Sequence, residues 1–248
     1  MTWDQMLELI RPATVETFQM VGVATLATVL LGLPLGVLLV LTAKGGQLRN
    51  LAVSKVIGAV VNVGRSLPFV ILMVALIPFT RAVVGTSIGW QAATVPLAVG
   101  AIPFFARLVE TSVREVDGGL VEAVQAMGGS TWTIVRKTLL PEALPALVAS
   151  LTTTVIALIG YSAMAGTVGG GGLGTLAINY GYQRFETGFM WVIVAELVVI
   201  VTAIQFLGDL AVRRLSRSGR TAGPLRLLRP RGGTTGASDA PDEDLLAH

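Results

Sequence analysis

The side chains in this chain that could do chemistry are few, and the patterns they fail to form narrow its function. Cysteine does not occur, and the one histidine, His248, is the last residue. Disulfides, thiolate metal sites, cysteine nucleophiles and histidine-based metal or triad chemistry within one chain are thereby excluded. No G-x-x-x-x-G-K-[ST] phosphate loop is present, and Gly169-Gly170-Gly171-Gly172 has no lysine after it, so no nucleotide site is expected. What remains is a polar loop, Glu122-Ala123-Val124-Gln125-Ala126-Met127-Gly128, followed after nine residues by Thr138-Leu139-Leu140-Pro141, and two lone charges in apolar stretches, Arg65 and Glu196. This inventory suits contact and transport rather than catalysis. No catalytic residue, resident metal or cofactor is expected.

The elements that position these residues are membrane-length. The 248 residues are 53% hydrophobic and 13% charged, with mean hydropathy +0.74; a soluble domain carries roughly a quarter charged residues. No Asp, Glu, Lys or Arg occurs from Thr17 to Ala43, from Ala82 to Ala106 or from Ala143 to Gln183. Each run exceeds the ~20 residues a helix needs to cross the hydrocarbon core. Lipid offers backbone amides no partner, so such runs cross as helices, whereas a closed barrel would alternate apolar and polar residues. The sequence predicts an all-α polytopic membrane protein with five spans, at about 18–42, 57–79, 88–108, 147–165 and 188–212, in a transmembrane domain covering 1–212. A loop over about 117–142 joins the third span to the fourth. The start, Met1-Thr2-Trp3-Asp4, has no basic n-region, and a cleaved signal peptide is not expected.

Basic residues set the orientation. With the N-terminus outside and the C-terminus in the cytosol, four basic residues in 44–65, four in 107–137 and seven in 213–231 are cytosolic, and Arg11, Arg81 and Arg184 are outside. The Glu122 loop is then cytosolic. From 213 to 248 the composition turns to Arg, Gly, Ser, Thr and Pro and then to the acidic run Asp239–Asp244, which reads as a disordered cytosolic tail. Its basic half could lie against anionic headgroups or be simply solvated. The lipid bilayer is the expected surrounding; no nucleic-acid partner is.

Locally, Asp117-Gly118-Gly119 breaks the extension of the third span. A short helix from Leu120 would place Leu120, Ala123, Val124 and Met127 on one face, with Glu122 in its first turn. Gly128-Gly129 ends it, and Ser130 caps a second helix to about Leu139, with Arg136 and Lys137 in its last turn. Pro141 and Pro145 set the start of the fourth span. Two short helices at a double-glycine corner make a knob that fits a groove in a soluble partner; from periodicity alone, an amphipathic pair on the membrane surface fits equally.

The loop spacing resembles the signature of ABC-importer permeases, EAA, three residues, G, nine residues, I, any residue, LP. Glu122, Ala123, Gly128, Leu140 and Pro141 fall in register; Val124 and Thr138 depart from it. Further stretches resemble the permease subunit of bacterial methionine importers: Asn62 to Phe69, Ile77 to Arg81, Val83 to Gly89, Gly160 to Met164, Val168 to Gly174 with Asn179 to Tyr182, and Gln205 to Asp209. The resemblance covers about Val15 to Arg213. It implies a type I ABC importer permease fold in the bacterial plasma membrane. Two copies would form the pathway, the Glu122–Pro141 loop would act as coupling helix on a dimer of cytosolic ATPase subunits, and those subunits would use the ATP. An extracytoplasmic binding protein would deliver L-methionine, and D-methionine or close derivatives with it.

Along a passage, Tyr161, Ser162 and Met164 stand where the fourth span meets the glycine-rich run, and Tyr161 and Met164 are read as bordering the substrate path. Arg65, near the cytosolic end of the second span, reads as an interfacial anchor or as a pathway charge, and Pro68 as a bend useful to a gate. Glu196 reads as a polar contact within the bundle or as a peculiarity of this chain. Gly32 and Gly36 have the spacing of a close helix contact. A stand-alone secondary transporter would need charge chemistry in the spans, which offer only Arg65 and Glu196. An ABC permease for another amino acid or a small peptide is the other reading.

Overall fold

A computed structural model of the chain describes residues 3–219, and its regular elements are helical. In chain order they are α1 (Trp3–Thr42), α2 (Leu51–Ser66), α3 (Phe69–Ala75), α4 (Ile77–Val84), α5 (Trp90–Arg114), α6 (Gly118–Ala126), α7 (Thr131–Ile134), α8 (Leu140–Ala165), α9 (Gly172–Leu176) and α10 (Thr187–Gly219). Four stretches among the described residues are long and apolar enough to cross a membrane: Trp3–Thr42, Trp90–Arg114, Thr131–Val168 and Thr187–Ser216. A further path, α2 with α3, is bent by 103°.

The bundle is organised by α1 against α5. A Cβ at Gly36 would stand 2.5 Å from the Ala106 carbonyl oxygen and 2.6 Å from Val109 Cβ, and one at Gly32 would meet Phe105 Cδ1 at 3.0 Å. The G-x-x-x-G spacing therefore serves a backbone approach inside one chain. At the opposite end, a Cβ on Gly171 would lie 2.8 Å from Glu16 Oε2 and 3.2 Å from the Trp90 amide nitrogen, so Glu16 is level with the start of α5. The two helices run in the same direction, and residues 43–89 must carry the chain back between the ends of the bundle.

That return is where the expected span over 57–79 is not one straight helix but a bent path. Leu67 is extended (φ −79°, ψ 127°), as a residue before proline prefers. Pro68 has no N–H to continue the helix, and the Ser66 hydroxyl donates instead to the Asn62 carbonyl at 2.8 Å. The path becomes α2, α3 and α4, with Val61 packed on Ala106 and Leu39, then Phe69 and Met73 in the core beside Leu97 and Leu158. Periodicity reads apolar composition, not the backbone bonds a proline removes.

Other boundaries shift for physical reasons. α1 starts at Trp3 instead of Phe18, because Ile10 and Ala13 pack on Leu173, Phe189 and Ile193 while Asp4, Glu8 and Arg11 stay exposed. The second loop helix does not end near Leu139. It runs through a π-helical segment, Val135–Leu139, directly into α8, the Leu140 amide donating to the Val135 carbonyl. Pro141 cannot make the regular bond, and the wider turn absorbs the deficit without a break. α10 continues past the expected end at Val212 to Gly219; the rest of the expected tail, 220–248, lies outside the described residues.

Gly36→Ala should cost about 1–3 kcal/mol of stability, since the methyl overlaps backbone that cannot move freely. Gly22→Ala, where a Cβ meets nothing within 4 Å, should stay within about 0.5 kcal/mol of the parent. Thermal unfolding of the detergent-solubilised chain compares the two; equal melting temperatures would remove the close-approach account.

Candidate functional site

The Glu122 loop projects from one end of the bundle. Asp117 caps α6, its carboxylate accepting from the Gly119 amide at 2.8 Å. The helix therefore starts at Gly118, and Glu122 falls beyond its first turn, not in it as expected. The corner closes by two bonds: the Gly128 amide donates to Gln125 O at 2.8 Å, and the Gly129 amide to Val124 O at 2.9 Å. Gly128 sits at φ +78°, a left-handed conformation that strains L side chains. Ser130 then caps α7 through the Thr133 amide at 3.3 Å.

The amphipathic faces are also divided differently than expected. Val121 and Val124 pack beneath α6 against the cluster of Val109, Val113, Ile134 and Leu139. Leu120, Ala123 and Met127 turn outward, with Met127 78% and Trp132 68% exposed. Arg136 and Lys137, near the start of a continuous helix rather than at a helix end, are exposed. Glu122 lines a cleft of about 620 Å³ between α6 and the turn after α1, together with Lys44, Gln47, Arg114 and Gln125. Leu140 and Pro141 stand at the base of the knob, where it becomes α8. The arrangement offers exposed apolar side chains framed by charges of both signs.

The candidate passage residues separate into two groups. Tyr161 stacks on Phe69, ring centroids 4.7 Å apart and planes 13° from parallel. With Arg65 and Phe104 they line a cleft of about 230 Å³. Met164, one turn above Tyr161, is 47% exposed, and Gly160 beside it faces open space. Ser162 points the other way: it is buried and its hydroxyl donates to the Ile159 carbonyl at 2.7 Å. It does not border the open face. Arg65 lies in the last turn of α2 and is exposed. A Cβ on neighbouring Gly64 would stand 2.9 Å from Pro103 Cγ, and Pro103 lies in the middle of the 25-residue α5, roughly 15–20 Å from either end. Pro68 marks the bend below this cleft.

Two sets of polar contacts were not legible beforehand. Glu16 accepts from the Gly172 amide at 2.7 Å and Thr17 from the Leu173 amide at 2.9 Å, tying the glycine-rich turn to α1. Glu110, with its side chain 4% exposed, pairs with Arg107 at 2.5 Å and Arg114 at 2.6 Å. The i, i+3 and i, i+4 spacing of Arg107, Glu110 and Arg114 was the available signal for the second; nothing in the spacing of Glu16 announces its partner. Glu196 is a bundle contact, the Thr14 hydroxyl lying 2.5 Å from its Oε1, while its Oε2 is buried with no partner.

Gly128→Ala should loosen the knob by about 1–2 kcal/mol, a roughly five- to thirtyfold rise in local opening. Hydrogen exchange of residues 120–135 measures it, with Gly118→Ala as a control at ordinary φ and in open space. Unchanged exchange in Gly128→Ala would show that the corner does not hold the knob.

Comparison with known proteins agrees with this geometry. Residues 32–218 match the family described as binding-protein-dependent transport system inner membrane component. A probable D-methionine transport system permease protein MetI of Vibrio cholerae is 54% identical over 208 residues, covering 84% of this chain and 92% of the relative. The methionine import system permease protein MetP of Bacillus subtilis is 50% identical over 173 residues, covering 70% and 78%. Among solved structures, inward-facing conformations of the MetNI methionine ABC transporter align with TM-score 0.85 at 48% identity, over 87% of this chain and 99% of the solved one. An amino acid ABC transporter at 20% identity and TM-score 0.70 shares the fold. The chain belongs to the family of binding-protein-dependent transport system inner membrane components, and its architecture is that of a type I ABC importer permease.

Proposed function

We propose that this chain is the membrane subunit of an ATP-driven methionine importer in the bacterial plasma membrane. Two copies form the path, and ATP is hydrolysed on separate cytosolic subunits that the Glu122–Pro141 loop engages. A binding protein supplies substrate from outside. The observation that carries this reading is the knob itself, with Met127 and Trp132 exposed beyond the bundle. Two large exposed apolar side chains on a knob that also exposes Glu122, Arg136 and Lys137 combine apolar and charged surface, as a protein interface does. The basic residues put this end in the cytosol, where the ATPase would be.

The same structure supplies the linkage. From Thr131 to Val168 the chain is helical over 38 residues, so Trp132 and Met164 are joined by a rod of about 48 Å. A displacement of the knob is carried to the face of Tyr161 and Met164 without a flexible joint. That face, open at Gly160 and Met164 in the single chain, borders the passage where the two copies meet.

ATP-dependent uptake of labelled L-methionine into proteoliposomes holding this chain, its ATPase and its binding protein tests the reading. Met127→Asp and Glu122→Arg should each lower uptake at least tenfold while leaving the chain folded. Uptake of another amino acid in place of methionine would keep the importer and discard the substrate. Uptake by this chain alone without ATP would overturn the reading altogether.

A further inference from the structure

The Arg65–Tyr161 cleft has a composition that the general importer reading does not explain. Arg65 follows Gly64, whose Cβ position lies against Pro103, one turn of α5 from Arg107, and a guanidinium within a span is expensive unless it is paired or faces a wet cavity. The residues lining its cleft are Gly64, Leu67, Phe69, Leu72, Gly100, Phe104 and Tyr161, and none is acidic. Glu110 is committed to Arg107 and Arg114, and Glu196 to Thr14 on the α1–α10 side. The cleft therefore presents a positive charge, a phenol and aromatic walls, with no protein carboxylate of this chain in it.

We propose that this cleft is a carboxylate-reading station for one amino acid in transit, resting on the importer reading above. Arg65 binds the substrate carboxylate through its planar fork, and the stacked Phe69–Tyr161 pair with Phe104 receives the side chain. A thioether suits these walls, because sulfur is polarizable and packs well at aromatic rings. A cleft of about 230 Å³ falls below the ~300–1,000 Å³ of sites for drug-sized ligands, which fits a single amino acid and not a peptide. No lining side chain carries a negative charge to pair with the substrate ammonium. The station thus fixes the carboxylate and the side chain but not the amine, and two attachment points do not define the configuration at the α-carbon.

Two measurements on the reconstituted complex test this. Arg65→Gln should lower methionine uptake at least tenfold while assembly and ATP hydrolysis stay at parental levels, and Arg65→Lys, which keeps the charge but not the fork, should retain a larger share. Saturation-transfer NMR on the complex in nanodiscs, with the signal of the ATPase subunits alone subtracted, should detect L-methionine, D-methionine and N-acetyl-L-methionine, but not methioninol, which lacks the carboxylate. Arg65→Gln should abolish the detected signals. Uptake in Arg65→Gln within twofold of the parent, or methioninol binding as well as methionine, would overturn the station. If the importer carries a different amino acid, the methionine reading fails alone, and that amino acid with its amino alcohol decides the station. Uptake of no amino acid overturns both.

Discussion

The parallel contact of α1 and α5 is the constraint on which the rest of the bundle depends. Gly32 and Gly36 let the backbone of α1 approach Phe105, Ala106 and Val109 closer than any Cβ would permit. In a bilayer, where lipid tails are as apolar as the side chains, close van der Waals approach supplies the association that burial supplies in water. Because both helices run the same way, the chain between them has to return, and it does so along a broken path hinged at Pro68. The break lets α2 reach Ala106 while α3 turns Phe69 onto Tyr161. The cleft at Arg65 is a consequence of that geometry.

The knob and α8 form the second mechanical unit. A proline four to ten residues after a helix start would ordinarily interrupt it, and a flexible joint there would waste any motion delivered by a partner. The π-helical segment at Val135–Leu139 removes the joint by giving Leu140 an alternative acceptor. Exposed Trp132 is thus joined by continuous helix to the open face of Gly160 and Met164. The glycine-rich turn at the far end is held by Glu16 and Thr17 through the amides of Gly172 and Leu173, so both ends of α8 are anchored to neighbouring elements.

The charges inside the bundle follow one rule, that a buried charge must be paired or bonded. Glu16 uses the Gly172 amide, Glu110 two arginines and Glu196 a threonine hydroxyl. Arg65 alone among these faces a cleft with no acid of this chain in its lining, and that contrast gives the cleft its ligand chemistry.

The sequence by itself determined the fold class, the place of the Glu122 loop and the family resemblance. Charge-free runs longer than a bilayer crossing leave no alternative to helices, and Gly128 and Pro141 are spaced in the chain, where order can be read directly. Gly128 needed no structure to be recognised as special, since a residue at a double-glycine corner is chosen for its backbone. Only the tertiary structure decided that Gly32 and Gly36 serve a contact within the chain, that Ser162 turns away from the open face, and that Arg65 shares a cleft with Tyr161. It also redrew the outward face of α6. These are relations between elements, set by which helices pack and in what direction. A one-dimensional pattern records the spacing of side chains along a helix; it holds no term for the neighbour that covers them.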